Sequence, residues 1–154
     1  MKLQKQTQGM VDISQKTPTK RTATASATLK FSKSAFKILI TKGSPKGDVF
    51  ETAKVAGIMA AKATPRIIPM CHPLALNKVS IDFKIDKKKS SLRILSEVSC
   101  FGRTGVEMEA LTATSVAALT VYDMMKWADK AITISAVKLL SKSGGKSGDF
   151  KRPS

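Results

Sequence analysis

Residues 79–100 read VSIDFKIDKKKSSLRILSEVSC, and this stretch predicts a β-hairpin. Apolar residues alternate with polar ones on both sides of a lysine-rich centre; they are Val79, Ile81, Phe83 and Ile85, then Leu92, Ile94, Val98 and Cys100. A period of two places the apolar side chains on one face of a strand. The polar run Lys87-Lys88-Lys89-Ser90 predicts the turn between the strands. Two antiparallel strands with one buried face are therefore expected.

A second alternating stretch runs from Arg21 to Phe31. One face carries Ala23, Ala25, Ala27, Leu29 and Phe31, and the other carries Thr22, Thr24, Ser26, Thr28 and Lys30. This pattern is typical of a strand that lays one face against a hydrophobic core. A further strand is predicted from Ala131 to Leu140, which brings the number of expected strands to four.

Two helices are predicted between the first strand and the hairpin. The first covers residues 34–42 and carries apolar residues at helical spacing. The second opens at Asp48, which with Glu51 three positions later resembles a capping box, and we expect it to end before Pro65. Lys46 lies just before this helix N-terminus, a natural position for binding an anion.

A third helix is predicted from about Val106 to about Ala128. Its small and aliphatic residues suit close packing against a sheet or another helix. The order β-α-α-β-β-α-β is the ferredoxin-like βαββαβ pattern with an extra helix. We expect an α+β fold with an antiparallel sheet packed on helices. Along the chain we predict a flexible N-terminal arm (1–20), a ferredoxin-like catalytic domain (21–141) and a Gly/Ser/Lys-rich active-site tail (142–154).

The composition describes a globular protein with a strong positive charge. The 154 residues include 27 Lys and Arg against 11 Asp and Glu, a net charge of +16. Such a surface attracts nucleic acid, anionic membranes or phosphorylated metabolites. One Trp, one Tyr and no aromatic-basic strand weaken the nucleic-acid interpretation. No signal peptide or membrane-spanning apolar run is seen, and two cysteines do not form a disulfide framework, so we expect a cytoplasmic protein.

The third helix carries charged residues only near its ends. Asp123 and Lys126 are three positions apart and share a helix face, which suits a surface ion pair or a proton-transfer unit at a cleft. Glu107 and Glu109 near the start either complement the helix dipole or belong to a site. On a continuous helix, Glu109 and Asp123 lie about 21 Å apart. If both serve one site, that site combines two subunits of a homo-oligomer, unless the helix is broken.

The segment from Pro69 to Pro73 concentrates rare residue types. It holds Cys71 and the chain's only histidine, His72, and the prolines predict an extended, non-helical backbone. A zinc site needs three or four ligands, and one histidine with two cysteines leaves only carboxylates to complete it, so no metal site is predicted. Adjacent residues of an extended segment point in opposite directions, which argues against a Cys-His catalytic pair.

The C-terminal stretch from Leu139 to Asp149 is rich in glycine, serine and lysine. It lacks the first glycine of a P-loop and the room for the helix that should follow. Two interpretations are open: a glycine-serine loop in which Lys142 and Lys146 wrap phosphate groups, or a disordered tail.

Several of these segments together resemble the cyclic pyranopterin monophosphate synthase family, molybdenum cofactor biosynthesis protein C. The matching stretches are 10–12 (MVD), 46–50 (KGDVF), 68–74 (IPMCHPL), 104–112 (TGVEMEALT), 121–124 (VYDM) and 139–149. They occur in the family's order and cover nearly everything from Met10 to Phe150. Met70 stands where the family usually has leucine, and Arg103 where lysine is common.

The resemblance implies a ferredoxin-like enzyme that converts cyclised dihydro-GTP (3′,8-cyclo-7,8-dihydro-GTP) to cyclic pyranopterin monophosphate and releases pyrophosphate. It implies a homohexamer built from dimers, with the active site at the dimer interface. It assigns catalysis to Asp123, Lys126 and Lys46, and substrate contacts to Met70, Cys71, His72, Met108, Glu109, Arg21 and Lys142. With Glu107 and Lys146, these are the expected site residues. No cofactor is expected, with Mg²⁺ accompanying the substrate triphosphate as an option.

The catalytic role that the resemblance implies for Lys126 leads to an expectation about its pKa. If Lys126 both loses and regains a proton, its pKa should be tuned by burial against the Asp123 charge. The main rival function is a basic nucleic-acid-binding module of ferredoxin-like type, which would have no need for Asp123. A structural oligomerisation domain is a third hypothesis. On the enzyme hypothesis, neither a membrane nor a specific nucleic acid is an expected partner.

Overall fold

A computed structural model describes residues 9–153. Its elements are β1 (Thr19–Lys30), α1 (Lys33–Thr41), α2 (Val49–Ile67), β2 (Leu76–Asp86), β3 (Ser91–Gly102), α3 (Glu107–Met125), β4 (Thr133–Ser143) and β5 (Phe150–Lys151). The expected order is confirmed, with β5 added at the end. Residues 1–8 of the predicted N-terminal arm lie outside the described residues, and residues 19–20 belong to β1.

The sheet has five strands in the order β2-β3-β1-β4-β5, and every neighbouring pair is antiparallel. Its first four strands have the strand order of a ferredoxin-like fold, so the predicted fold class is confirmed. The hairpin of β2 and β3 pairs Val79 with Val98, and β1 pairs with β3 through Ala27 and Ile94. In the described part of the chain, no helix is both long enough and apolar enough to cross a membrane.

The predicted apolar face of β1 is the face that enters the core. All five of its residues, Ala23, Ala25, Ala27, Leu29 and Phe31, are buried. The alanines of α3 (Ala110, Ala113, Ala117 and Ala118) are equally buried, and α3 contacts both the sheet and α2. Burial of a side chain such as Leu29 contributes about 1.5–3 kcal/mol. Small residues on both surfaces let α3 lie close to the sheet, which fixes the direction in which its two ends point.

Helix α2 begins as predicted but ends later. Asp48 is its N-cap, and Asp48 Oδ1 accepts a hydrogen bond from the Glu51 amide at 2.9 Å. The Glu51 carboxylate pairs with Lys54, so only half of the capping box forms. The expected end before Pro65 is wrong, because the helix continues to Ile67. Pro65 lies in the last turn of the helix, where it removes only one backbone N–H donor.

Helix α3 and strand β4 also end at other places than predicted. The helix ends at Met125, so Lys126 is its C-cap residue and not part of its interior. Strand β4 runs past Leu140 to Ser143, across the predicted boundary between residues 141 and 142. Strand β5 folds back and pairs with residues 141–142. The tail is therefore a short hairpin in which Arg152 donates to the carbonyls of β4.

Candidate active site

The end of α3 carries a carboxylate held between two lysines. Lys46 Nζ lies 2.7 Å from Asp123 Oδ2, and Lys126 Nζ lies 2.8 Å from Asp123 Oδ1. All three side chains are about half exposed. Both Asp123 oxygens are thus occupied by charged donors, while the lysines still face open space. The structure thus brings together the three residues to which the resemblance assigns catalysis.

The loop before α2 positions Lys46. Ser44 Oγ donates to the carbonyl of Met124 at 2.7 Å and accepts from the Lys46 amide at 3.1 Å. Gly47 follows with a φ of 115°, a conformation that side-chain-bearing residues rarely adopt. These contacts fasten the loop to the last turn of α3, so the Lys46 ammonium meets Asp123 through a pre-formed backbone.

The charges in this cluster reinforce one another. Hydrogen bonds from Lys126 and Lys46 lower the pKa of Asp123 to about 2. The hydrogen bond to Asp123 raises the pKa of Lys126. The expected burial of Lys126 is not seen, because its position at the helix end leaves it half exposed. In this chain Asp123 is ionised and Lys126 protonated at neutral pH, so Lys126 is prepared to donate a proton.

A second group of predicted residues surrounds a cavity at the opposite end of α3, which we call the His72 cavity. The cavity holds about 230 Å³ and is lined by Met70, Cys71, His72, Glu107, Met108 and Glu109, among others. Glu109 is only 3% exposed, and burial raises the pKa of its carboxyl. His72 Nε2 donates to the carbonyl of Val11 at 2.7 Å, which places a proton on Nε2.

The segment around Cys71 is non-helical, as predicted, but Pro69 and Met70 form a turn before Cys71 in place of extended backbone. The Cys71 amide donates to the carbonyl of Ile68 at 3.1 Å. Cys71 and His72 both line the cavity, although adjacent residues were expected to point apart. Burial raises the pKa of the Cys71 thiol, and the nearby Glu109 raises it further. A protonated thiol is a poor nucleophile, so the geometry favours a contact role for Cys71.

Another cavity, of about 500 Å³, lies between the N-terminal segment and the C-terminal loop, and we call it the Arg21 cavity. Its lining includes Arg21, Gly145 and Lys146. Arg21 is only 9% exposed and donates from Nε to the carbonyl of Gly102 and from Nη2 to that of Arg103, each at 3.3 Å. The guanidinium is thus fixed beside the loop that follows β3. Lys142 lies next to the loop and donates to Ser147 Oγ.

Residues that the sequence did not single out also line the Arg21 cavity. They include Gln15, Lys16, Thr17 and Thr19. Thr19 Oγ1 is buried and has no hydrogen-bond partner among residues 9–153. The N-terminal segment has no apolar period, so no local pattern distinguished Lys16 from the other polar residues around it.

The His72 cavity and the Arg21 cavity adjoin each other, and the lysine-carboxylate cluster lies at the other end of α3. Arg21 donates hydrogen bonds to the carbonyls of Gly102 and Arg103, and the next two residues, Thr104 and Gly105, line the His72 cavity. Helix α3 is continuous from Glu107 to Met125, so its length separates both cavities from Asp123 by about 20 Å. The alternative of a broken helix is excluded. Each chain therefore carries the predicted site residues in two separate groups.

Within residues 9–153, no three His, Cys, Asp or Glu side chains come together in a way that could hold a metal ion. Cys71 and Cys100 are both free thiols.

Comparison with known proteins places this arrangement in a family. The MoaC family model matches residues 10–145. A cyclic pyranopterin monophosphate synthase of Parvibaculum lavamentivorans is 49% identical over 92% of this chain and 89% of its own length. Enzymes of the same name from Desulfatibacillum aliphaticivorans (53%; 92% and 89%) and Staphylococcus carnosus (52%; 94% and 91%) are similar to the same extent. With a family match over most of its length, this chain belongs to the MoaC family.

Proposed function

We propose that this chain is a cyclic pyranopterin monophosphate synthase, a lyase of molybdenum cofactor biosynthesis. Its substrate is cyclised dihydro-GTP, and its products are cyclic pyranopterin monophosphate and pyrophosphate. The observation that carries the proposal is Asp123 held between Lys46 and Lys126, in a chain about half identical to enzymes of that name. The nucleic-acid-binding alternative has no support from these relatives.

The lysine-carboxylate cluster moves protons while the purine-derived ring opens and closes again as a pterin. Lys126 begins protonated, because Asp123 stabilises its ammonium form, and it is one proton donor of the cluster. Lys46, on the other Asp123 oxygen, is the second donor. Desolvation by the substrate and a neighbouring subunit lowers lysine pKa values, so that a lysine that has donated its proton can then accept one.

The last step forms the cyclic phosphate. A ribose-derived hydroxyl attacks the α-phosphorus, a new P–O bond forms, and the bond from the α-phosphorus to the bridging oxygen breaks. Pyrophosphate leaves with that oxygen and the electron pair, and the hydroxyl proton passes to a neutral lysine. Arg21, Lys146 and Lys16, which line one cavity, bind the triphosphate together with Lys142, which contacts Ser147 of the same cavity.

The residues of the His72 cavity hold the purine-derived ring system of the substrate. His72, Cys71 and Met70 form one wall, and Met108, Glu107 and Glu109 the other. Glu109 is protonated over a wider pH range than an ordinary carboxyl because burial raises its pKa. It can therefore donate a hydrogen bond to a ring nitrogen or carbonyl oxygen. His72 orients the substrate from a position fixed by its bond to Val11.

The complete site forms between two subunits. One chain contributes Asp123, Lys46 and Lys126, and its partner contributes the cavities around Arg21 and His72. Exposed apolar side chains lie near each half: Trp127 follows Lys126, while Phe101 and Met70 lie beside the cavities. Exposed apolar surface of this kind is typical of protein interfaces. We propose a dimer as the active unit, assembled into a hexamer.

Three further expectations belong to the same proposal. The enzyme needs no cofactor of its own, and Mg²⁺ enters, if at all, with the substrate triphosphate. The protein acts in the cytoplasm, where free Cys71 and Cys100 stay reduced.

The test is direct turnover. Purified protein is incubated with cyclised dihydro-GTP, and pyrophosphate and the fluorescent oxidised pterin are measured. Wild-type protein should form both, and a Lys126→Ala variant should form neither while keeping its oligomeric size. Normal turnover by that variant contradicts the assignment of Lys126, and no turnover by wild-type protein contradicts the function.

A further inference from the structure

We propose that a basic cleft between α1 and the turn of the β2–β3 hairpin docks an acidic segment of another protein. The cleft holds about 260 Å³. Lys33, Lys37, Lys87 and Lys88 surround it, and Phe36 and Ile40 form its floor. None of these residues belongs to the site of the proposed function. The inference therefore concerns a second surface and does not depend on the synthase activity.

The charge of this cleft is not neutralised within the described chain. The ion pairs among residues 9–153 use Lys46, Lys54, Lys78 and Lys126, and none of the four cleft lysines takes part. Helix α1 has no acidic residue in its first turn, where Lys33 stands instead. Four ammonium groups around one concavity create a positive field that an anionic partner would relieve.

The carboxylates that adjoin this region are engaged with the backbone. Asp86 Oδ1 accepts from the Lys89 amide at 3.0 Å. Asp129 Oδ2 accepts from the Ser32 amide at 3.1 Å, and its Oδ1 accepts from the Ala131 amide at 2.8 Å. Both carboxylates fix turns, so the cleft lysines keep their capacity for an external partner.

The floor of the cleft identifies the kind of partner. Ile40 is 37% exposed, whereas Phe36 is only 4% exposed and packs against Phe31. An apolar floor under a lysine rim accommodates one apolar side chain flanked by carboxylates. A free phosphate or a nucleic-acid backbone would use the lysines alone, and a single-stranded nucleic acid would also use exposed aromatic faces for stacking. The observations favour an acidic peptide with an apolar anchor.

A second copy of this chain is a poor occupant. The cleft rim carries four lysines, so its occupant must supply carboxylates, and this chain has only 11 Asp and Glu against 27 Lys and Arg. Several of its eleven acids are already paired, including Glu51 with Lys54 and Glu97 with Lys78. The partner should therefore be a different, acidic protein.

The test measures fluorescence anisotropy with a fluorescein-labelled, glutamate-rich peptide that carries one central phenylalanine. Full-length wild-type protein should bind it, and Lys37→Glu or Lys88→Glu should each weaken binding about five- to tenfold. The matched control is Lys62→Glu, an exposed lysine on α2, which should change binding less than about twofold. Replacing the phenylalanine of the peptide by serine should weaken binding as much as Ile40→Ser does in the protein.

Four results would overturn the proposal: no binding to wild-type protein, an equal loss in Lys62→Glu, full affinity for the peptide without phenylalanine, or tighter binding of a uridine-rich RNA lost in the same variants. Lys37→Glu should retain full synthase turnover. A failure of the docking proposal is therefore distinguishable from a failure of the proposed function.

Discussion

Lys46 and Asp123 are separated by 77 positions in the chain, yet Lys46 Nζ lies 2.7 Å from Asp123 Oδ2. This contact joins the loop before α2 to the last turn of α3. It leaves the other carboxylate oxygen to Lys126. One carboxylate therefore positions two lysines and raises the pKa of Lys126.

Replacement of Asp123 by asparagine should abolish most of the activity. The amide keeps the shape but loses the charge that orients the ammonium groups and raises the pKa of Lys126. We expect kcat to fall by about 10²–10⁴-fold, the usual contribution of a proton-transfer group. Because Asp123 is half exposed, thermal stability should change little.

The matched control for this variant is Lys54→Ala. It removes another surface ion pair, with Glu51 on α2, and should leave kcat unchanged. A kcat that falls equally in both variants would mean that general surface charge, and not the cluster, supports turnover.

Much of the fold follows from local patterns, whereas the meeting of Lys46 with Asp123 does not. Alternation identified the buried face of β1, and Asp48 identified the start of α2. Spacing alone placed Asp123 and Lys126 on one helix face. Lys46 reaches them through tertiary structure, so only the family resemblance indicated its role.

The missed features have physical causes of the same kind. Strand β5 has two residues, Phe150 and Lys151, too few to show alternation, and it forms only because the edge of β4 is available. The burial of Lys126 was expected because a lysine that loses and regains a proton needs a tuned pKa. The helix ends at Met125, which leaves Lys126 at the surface.

The buried carboxyl of Glu109 should make stability depend on pH. Burial raises its pKa above the ordinary value of 4.5, so its contribution to stability is fully present below that value and is lost as pH rises through the raised pKa. Glu109→Gln removes this charge, and its Tm should exceed that of wild type by about 2–4 °C at neutral pH. The difference should vanish near pH 4. Scanning calorimetry across this range measures it.

Glu107→Gln is the control for this pH effect. Glu107 is less buried and lies in the first turn of α3, where a negative charge is favourable. This variant should gain no stability at neutral pH. If Glu107→Gln and Glu109→Gln give the same pH-dependent gain, the burial of Glu109 is not its cause.

Gly145→Ala should impair substrate binding through Arg21. A Cβ at Gly145 would lie 1.9 Å from Arg21 Nη1, so the guanidinium must move. We expect KM to rise by about tenfold with a smaller change in kcat, as for the loss of a uniform binding contact.

The control for the Arg21 contact is Gly148→Ala. Gly148 also has a positive φ, of 69°, but its Cβ would meet open space. Both variants should lose about 1 kcal/mol of stability from backbone strain, and only Gly145→Ala should raise KM. An equal rise of KM in both would assign the effect to the loop backbone.

Asp48→Ala should weaken the start of α2, two residues after Lys46. Loss of the hydrogen bond from the Glu51 amide costs about 1 kcal/mol of unfolding free energy. Asp48→Asn keeps an acceptor at this position and should restore most of the stability, as urea denaturation would measure. Equal destabilisation by both replacements would contradict the capping role.

The central claim is that each active site combines the Asp123 cluster of one chain with the cavities of another. Complementation tests it most directly: Lys126→Ala and His72→Ala variants, each inactive alone, are co-expressed with different tags and the mixed oligomers are isolated. Random assembly of dimers gives some sites without either substitution, and about one quarter of wild-type activity should return. Activity no greater than that of the separate variants would show that each chain holds its whole site and would contradict the account.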